Sequence, residues 1–245
     1  MISPTSAPAH QETSNSLPLK AVLWDMDGTL VDTEPYWIAA EIALVQAHGG
    51  QWSKEQAFTL VGNALDDSAR VLQGAGVDLS VREIIDHLSN TVIAGIREEV
   101  PWRPGARELL ADLRHNNVRC ALVTMSERQL AAEVVGALDE EYFEFLVTGD
   151  EVTHGKPHPE PYLVAVDKLQ LTDPNLTLLH CAALEDSVPG VASALASGMA
   201  TIAVPNAVPL GEDARRTTWD TLLGKTHDDV QAVLADHAAS VGAAL

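Results

Sequence analysis

Four short runs in this chain carry side chains that could do chemistry together. Asp25-Met26-Asp27-Gly28-Thr29 sets two carboxylates one residue apart, before a glycine that permits a tight turn. Thr124-Met125-Ser126 offers hydroxyls and neighbouring backbone N–H groups. Lys156 stands in the run His154-Gly155-Lys156-Pro157, and Glu185-Asp186-Ser187 adds two more acids. Carboxylates brought together repel, and one stays protonated unless a cation intervenes. Oxygen ligands without a Cys or a His pair suit a hard ion, Mg2+ best of all. A lysine and hydroxyl or N–H donors at the same point suit an anion. Such a set describes a phosphoryl-transfer site in which an aspartate can act as the nucleophile.

These residues act together only if the fold brings them to one rim. Five apolar runs, at 21–26, 119–125, 143–149, 176–184 and 200–205, read as short buried strands. Amphipathic stretches at 105–116, 128–138, 161–169 and 190–198 read as helices between them. This alternation predicts an α/β fold, a parallel sheet with helices on both faces. Each chemical run falls at or beyond the carboxyl end of a strand, where open α/β sheets bind ligands. Residues 35–101 break the alternation. They hold four helical stretches and no convincing strand, with Gly49–Gly50 and Gly74/Gly76 as stops. They read as a helical insertion after the first strand. The segment WDTLLGKTHDDVQAVLADHAA reads as a loop and a closing helix.

Composition narrows the partners. The chain has 245 residues, 46% of them apolar and 20% charged, a globular balance for one or two domains. Its formal charge is −20, and Arg215–Arg216 is its sole adjacent basic pair. Nucleic acid and anionic membranes call for clustered Lys and Arg, so neither is expected. No stretch approaches the ~18 apolar residues of a membrane helix. Residues 1–18, rich in Ser, Thr, Pro and Ala, read as a disordered extension without an export signal. The cytoplasm is the default location and a monomer needs no special assumption. Cys120 and Cys181 each lie in an apolar run and read as buried core residues.

The run Asp25-Met26-Asp27-Gly28-Thr29-Leu30-Val31-Asp32-Thr33-Glu34 resembles the first motif of the haloacid dehalogenase-like hydrolase superfamily. Thr124 matches the second motif, Lys156 in Gly155-Lys156-Pro157 the third, and Glu185-Asp186-Ser187 the fourth. The resemblance implies a Rossmann-like three-layer parallel-sheet core, at 19–34 and 102–245. It also implies an inserted α-helical cap at 35–101, of the subgroup containing β-phosphoglucomutase, phosphoglycolate phosphatase and sugar-phosphate phosphatases. On this basis Asp25 attacks phosphorus and Asp27 is the general acid and base. Mg2+ is held by Asp25, the Asp27 carbonyl, Asp186 and Glu185. Thr124, Met125, Ser126, Gly28 and Lys156 receive the phosphoryl group, and Asn63 of the cap is the specificity contact.

The resemblance also orders the alternatives. A dehalogenase needs no acid two residues after the nucleophile, because halide leaves unprotonated, so Asp27 points to a phosphatase of a small phosphorylated metabolite. β-Phosphoglucomutase-like enzymes resemble one another in a cap histidine, where this chain has Trp37. They also share a cap arginine, where gap-free counting gives Leu65 in Gly62-Asn63-Ala64-Leu65. A non-catalytic binding protein of the same fold is a further alternative, and the retained set of chemical residues speaks against it. Structural roles compete residue by residue: turn residues for Asp25 and Asp27, an exposed loop for Lys156, helix caps for Thr124, Ser126 and Asp186. Asp32 and Glu34 are expected to orient the loop or cap, and Asp150 to be structural. Trp24 is expected in the core, Trp37, Trp52 and Trp102 in the core of the cap in preference to a pocket wall, and His154 and His158 beside Lys156 as candidate substrate contacts.

Overall fold

The computed structural model describes residues 17–243. The N-terminal extension lies outside them through residue 16. Leu17 lies inside, and its carbonyl accepts from Gln231 Nε2 at 2.9 Å.

β1 (Ala21–Trp24) is apolar and buried at every position, as a strand covered on both faces must be. It pairs in parallel with β2 (Arg119–Val123) on one side and β4 (Cys181–Glu185) on the other. β3 (Phe143–Val147), β5 (Ala200–Ala203) and β6 (Thr217–Thr218) complete a six-stranded sheet of order β3-β2-β1-β4-β5-β6. The strand order reverses between β1 and β4, so a crevice opens there at the carboxyl ends. Side chains alternate across β1. Val22 and Trp24 enter a core with α5 (Ala106–His115), α6 (Arg128–Gly136) and α9 (His227–Ala243). Ala21 and Leu23 enter a second core with α7 (Glu160–Gln170) and α8 (Val188–Ser197). The fold is a three-layer, Rossmann-like α/β core.

Between β1 and α5 the chain forms α1 (Glu34–Ala47), α2 (Lys54–Phe58), α3 (Leu65–Gly74) and α4 (Val81–Glu98), the inserted helical cap. Ser53 with Gln56, and Ser80 with Glu83, make reciprocal capping boxes that start α2 and α4. α4 buries Ile84, Ile85, Leu88, Val92, Ile93 and Ile96, the three-and-four spacing of one helix face. Arg82 and Arg97 of α4 pair with Glu127 at the start of α6 and Glu133 within it, tying cap to core.

Two elements differ from the sequence reading. The strand expected at 176–184 begins only at Cys181, because Leu178–His180 form a 3-10 turn. The two-residue β6 carries no apolar run and was not expected.

Candidate active site

Asp25 follows β1, and its N–H donates to the Leu184 carbonyl at 3.0 Å, so its side chain leaves the sheet at the switch point. Glu185 ends β4 beside it, and Asp186 follows. Lys156 sits in the loop between β3 and α7, and its side chain reaches to the carboxyl ends of β1, β2 and β4. Its ammonium donates to Asp25 Oδ1 at 2.6 Å and to the Val123 carbonyl at 2.9 Å, and lies 2.6 Å from Glu185 Oε1. Tyr162 of α7 donates its hydroxyl to the same Glu185 oxygen at 2.6 Å, with its ring 5.2 Å from the ammonium. The alternative of an exposed loop lysine is thereby excluded: Lys156 is 5% exposed.

Burial sets the charges here. It pushes the Asp25 carboxyl up to about 7, Glu185 adds to the rise, and Lys156 opposes it. Burial opposes the charge on Lys156, but Asp25 and Glu185 outweigh it and raise its pKa. Asp186 is raised well above the usual carboxylate range by burial, then by Asp25 and Glu185. Gly28 has a left-handed φ of 88°, and a Cβ there would collide with the Asp186 carboxylate.

Asp27 is ringed by donors. Thr33 Oγ1 lies 2.5 Å and Trp37 Nε1 3.1 Å from its Oδ1, while Ser126 Oγ lies 2.7 Å and Thr124 Oγ1 3.4 Å from its Oδ2. Thr33 is the N-cap of α1 yet makes no side-chain cap bond, because its hydroxyl turns to Asp27. Ser126 is no helix cap either. That position falls to Glu127 for α6, and Ser187 rather than Asp186 caps α8, accepting from Gly190 N at 3.1 Å. Trp37 fills both roles open to it, cap core and pocket wall, and donates to Asp27.

The pocket above these groups lies between core and cap and reaches along α1 past Glu34 and Trp37 to Glu41. Glu34, expected to orient the loop or the cap, lines the pocket wall. Burial and then Asp27 push it up to about 8, and burial pushes Glu41 up to about 7. Asn63 lines the pocket from the loop before α3, and its amide donates to the Thr59 carbonyl at 3.2 Å. At Gly62, φ is 77°, and a Cβ would stand 2.6 Å from the Ser187 side chain, so this cap loop presses on the fourth motif. Met125 lines the floor and accepts from the Lys156 N–H at 3.1 Å through Sδ.

Other residues fall elsewhere. His154 and His158 are exposed and outside this pocket, His154 bonding Glu160 at 2.7 Å. Asp32 accepts from Asn206 at 2.8 Å, and Asp150 accepts from the Arg128 N–H at 3.2 Å. Trp24 is fully buried, Trp52 is buried with its indole on Glu41, and Trp102 lies 5.6 Å from the Arg107 guanidinium. Both cysteines are buried and unpaired. The sequence reading missed Thr33, Glu41, Ser68 and Tyr162. For Glu41 a signal existed: an acid inside the apolar run Ala39–Val45.

Asp25, Glu185 and Asp186 each offer a buried oxygen, all within 4.8 Å of one another. Asp186 Oδ2 has no hydrogen-bond partner. A buried, unpartnered carboxylate oxygen among other carboxylates fits a divalent cation.

The haloacid dehalogenase-like hydrolase family model matches residues 22–204, and the chain belongs to that family of enzymes. Among its relatives, hexitol phosphatase B of Escherichia coli is 31% identical over 196 residues, covering 76% of this chain and 83% of that protein. A phosphorylated carbohydrates phosphatase of Thermotoga maritima is 29% identical, covering 75% of this chain and 84% of that one. Crystalline CbbY of Rhodobacter sphaeroides, in complex with xylulose-(1,5)bisphosphate, superposes with a TM-score of 0.74 at 25% identity, covering 84% of this chain and 96% of that one. No helix among the described residues is long and apolar enough to cross a membrane.

Proposed function

We propose that this enzyme is a Mg2+-dependent phosphatase that hydrolyses a small phosphomonoester, a sugar phosphate or similar metabolite, through an aspartyl-phosphate on Asp25. The observation that carries this reading is the buried cluster of Asp25, Lys156, Glu185 and the unpartnered Asp186 at the sheet's switch point. Relatives named as phosphatases of hexitols and phosphorylated carbohydrates support the substrate class.

Asp25, Asp186 and Glu185, with the Asp27 carbonyl, would hold the cation. Bound there, it would supply positive charge to the phosphoryl oxygens and favour the ionised form of Asp25. Asp25 attacks phosphorus, and the bond from phosphorus to the ester oxygen breaks. Asp27 gives the departing alkoxide its proton. It then takes a proton from a water that attacks the same phosphorus, which breaks the bond to Asp25 and frees phosphate. Lys156 holds the nucleophile in place, and Thr124, Ser126 and nearby N–H groups receive phosphoryl oxygens. The inserted helices at 35–101 close over the site and exclude bulk water during the first step.

The transfer of phosphate within a bisphosphate is less well supported. Trp37 and Leu65, which stand where the resemblance puts a mutase histidine and arginine, both line the pocket and carry no charge. The test is phosphate release from p-nitrophenyl phosphate and from a sugar phosphate with Mg2+. Asp25→Asn should abolish both, and undiminished turnover would reject the nucleophile. Asp27→Asn should cost about 10²–10⁴-fold on the sugar phosphate and less on the nitrophenyl ester, whose leaving group needs no proton.

A further inference from the structure

The far end of the pocket has a chemical character of its own. Glu34, Trp37 and Glu41 follow one another along one face of α1. Seven residues of helix place Glu41 about 10 Å beyond Glu34, away from the reacting centre. Glu41 is 5% exposed, and its Oε2 accepts from Trp52 Nε1 at 3.0 Å. Its Oε1 has no partner among the described residues. Ser68 of α3, 6% exposed, lines the same pocket. Lys156 is the one basic residue among those lining the pocket, and it is engaged by Asp25 and Glu185. An anion at the cap end would therefore meet carboxylates and no compensating cation in a poorly hydrated space. A hydroxyl there could donate to the free oxygen of Glu41 and exchange hydrogen bonds with Ser68.

We propose that Glu41 and Ser68 form a hydroxyl subsite that takes the uncharged polyol end of a sugar or alditol phosphate and turns away a second phosphate or a carboxylate. The inference rests on the phosphatase reading above for its reaction and adds which substrates that reaction accepts. Glu41 acts as both attraction and repulsion. Its oxygen receives a hydroxyl proton, and above about pH 7, where Glu41 gives up its own proton, its charge penalises an anion.

A matched pair tests this. Sorbitol 6-phosphate and 6-phosphogluconate have equal carbon chains and differ at the end remote from phosphate, an alcohol in one and a carboxylate in the other. Assayed at about pH 8, where Glu41 is ionised, the wild-type enzyme should favour sorbitol 6-phosphate in kcat/KM by about tenfold or more. Glu41→Gln keeps an acceptor for Trp52 and removes the charge, so it should shrink that ratio by raising turnover of 6-phosphogluconate. Ser68→Ala should lower kcat/KM for sorbitol 6-phosphate several-fold through KM. p-Nitrophenyl phosphate turnover and circular dichroism, measured alongside, report the reaction centre and the fold. Equal or better use of 6-phosphogluconate by the wild type overturns the proposal, and so does a ratio unmoved by Glu41→Gln. If no ester is hydrolysed, the phosphatase reading falls by itself. Calorimetric Kd values of the two phosphates for the wild-type protein then decide the subsite: tighter sorbitol 6-phosphate supports it, and equal or tighter 6-phosphogluconate overturns it.

Discussion

Lys156 is bracketed by two carboxylates and a carbonyl, all within 2.9 Å of its ammonium. Its removal would leave Asp25 and Glu185 facing each other with no cation between them, in a place sealed from water. Lys156→Met should therefore destabilise the metal-free protein by about 3–5 kcal/mol, read from urea unfolding in EDTA. Adding Asp25→Asn should recover part of the loss, and a neutral effect of the single change would argue against a sealed cluster. Asp25, Glu185 and Asp186 were legible in the sequence because each stands beside a strand end, and strands announce themselves as apolar runs. Lys156, in the loop after β3, was legible through its Gly155-Lys156-Pro157 run. Tyr162 was not legible. Its hydroxyl matters because one face of α7 meets Glu185, and a helix face is fixed by packing across the molecule. The same limit hid the ring of donors around Asp27, in which Ser126 is no helix cap and Trp37 adds a hydrogen bond to its place in the core.

At the scale of elements, α1 carries two acids into a buried face. Glu34 and Glu41 hold their protons more tightly in the folded chain than in the unfolded one, up to about 8 and about 7. Folding thus takes up protons as pH rises through this range. Stability from these groups is complete below about pH 4.5, the unfolded value, and falls as pH rises toward 8. In EDTA, replacing both with Gln should flatten this decline and raise stability at pH 8 by a few kcal/mol. A decline equally steep in the double variant would locate it elsewhere. The elements themselves were largely readable. Ser53 and Ser80 begin helices where a hydroxyl precedes an apolar periodicity, and Pro101 and Pro104 mark the return to the core. Leu176–His180 misled because a turn that packs inward is as apolar as a strand. β6 escaped notice because two threonines at an edge carry no pattern.

At the scale of the molecule, charge and closure work against each other. A net charge of −20 surrounds a site meant for an anion. The positive spot is local, made by Lys156 and by the cation its neighbours would hold, so the approach of a phosphate is uphill until the last few ångströms. Screening should ease that approach. kcat/KM for a sugar phosphate should rise a few-fold as KCl goes from about 10 to about 150 mM, with kcat little changed. A fall over this range would mean that the field steers the substrate inward. The cap is held to α6 by exposed pairs, Arg82 with Glu127 and Arg97 with Glu133, each worth no more than about 1 kcal/mol. These pairs add little to the apolar packing of α4 and α6, whose Ile96, Leu130 and Val134 share one buried cluster, so replacing them would leave the cap seated.

Trp37 in the pocket wall and Trp52 behind Glu41 give the protein a built-in optical gauge. Trp37 donates to the carboxylate that would move protons, and Trp52 to the one that would meet the sugar. An excited indole is sensitive to a charge on its N–H, so its emission registers when that charge is neutralised or drawn away. Loading of the reaction centre and loading of the far wall become separate fluorescence signals, assignable by replacing one tryptophan at a time with phenylalanine. The order in which a substrate's two ends settle could then be followed in stopped flow without a label.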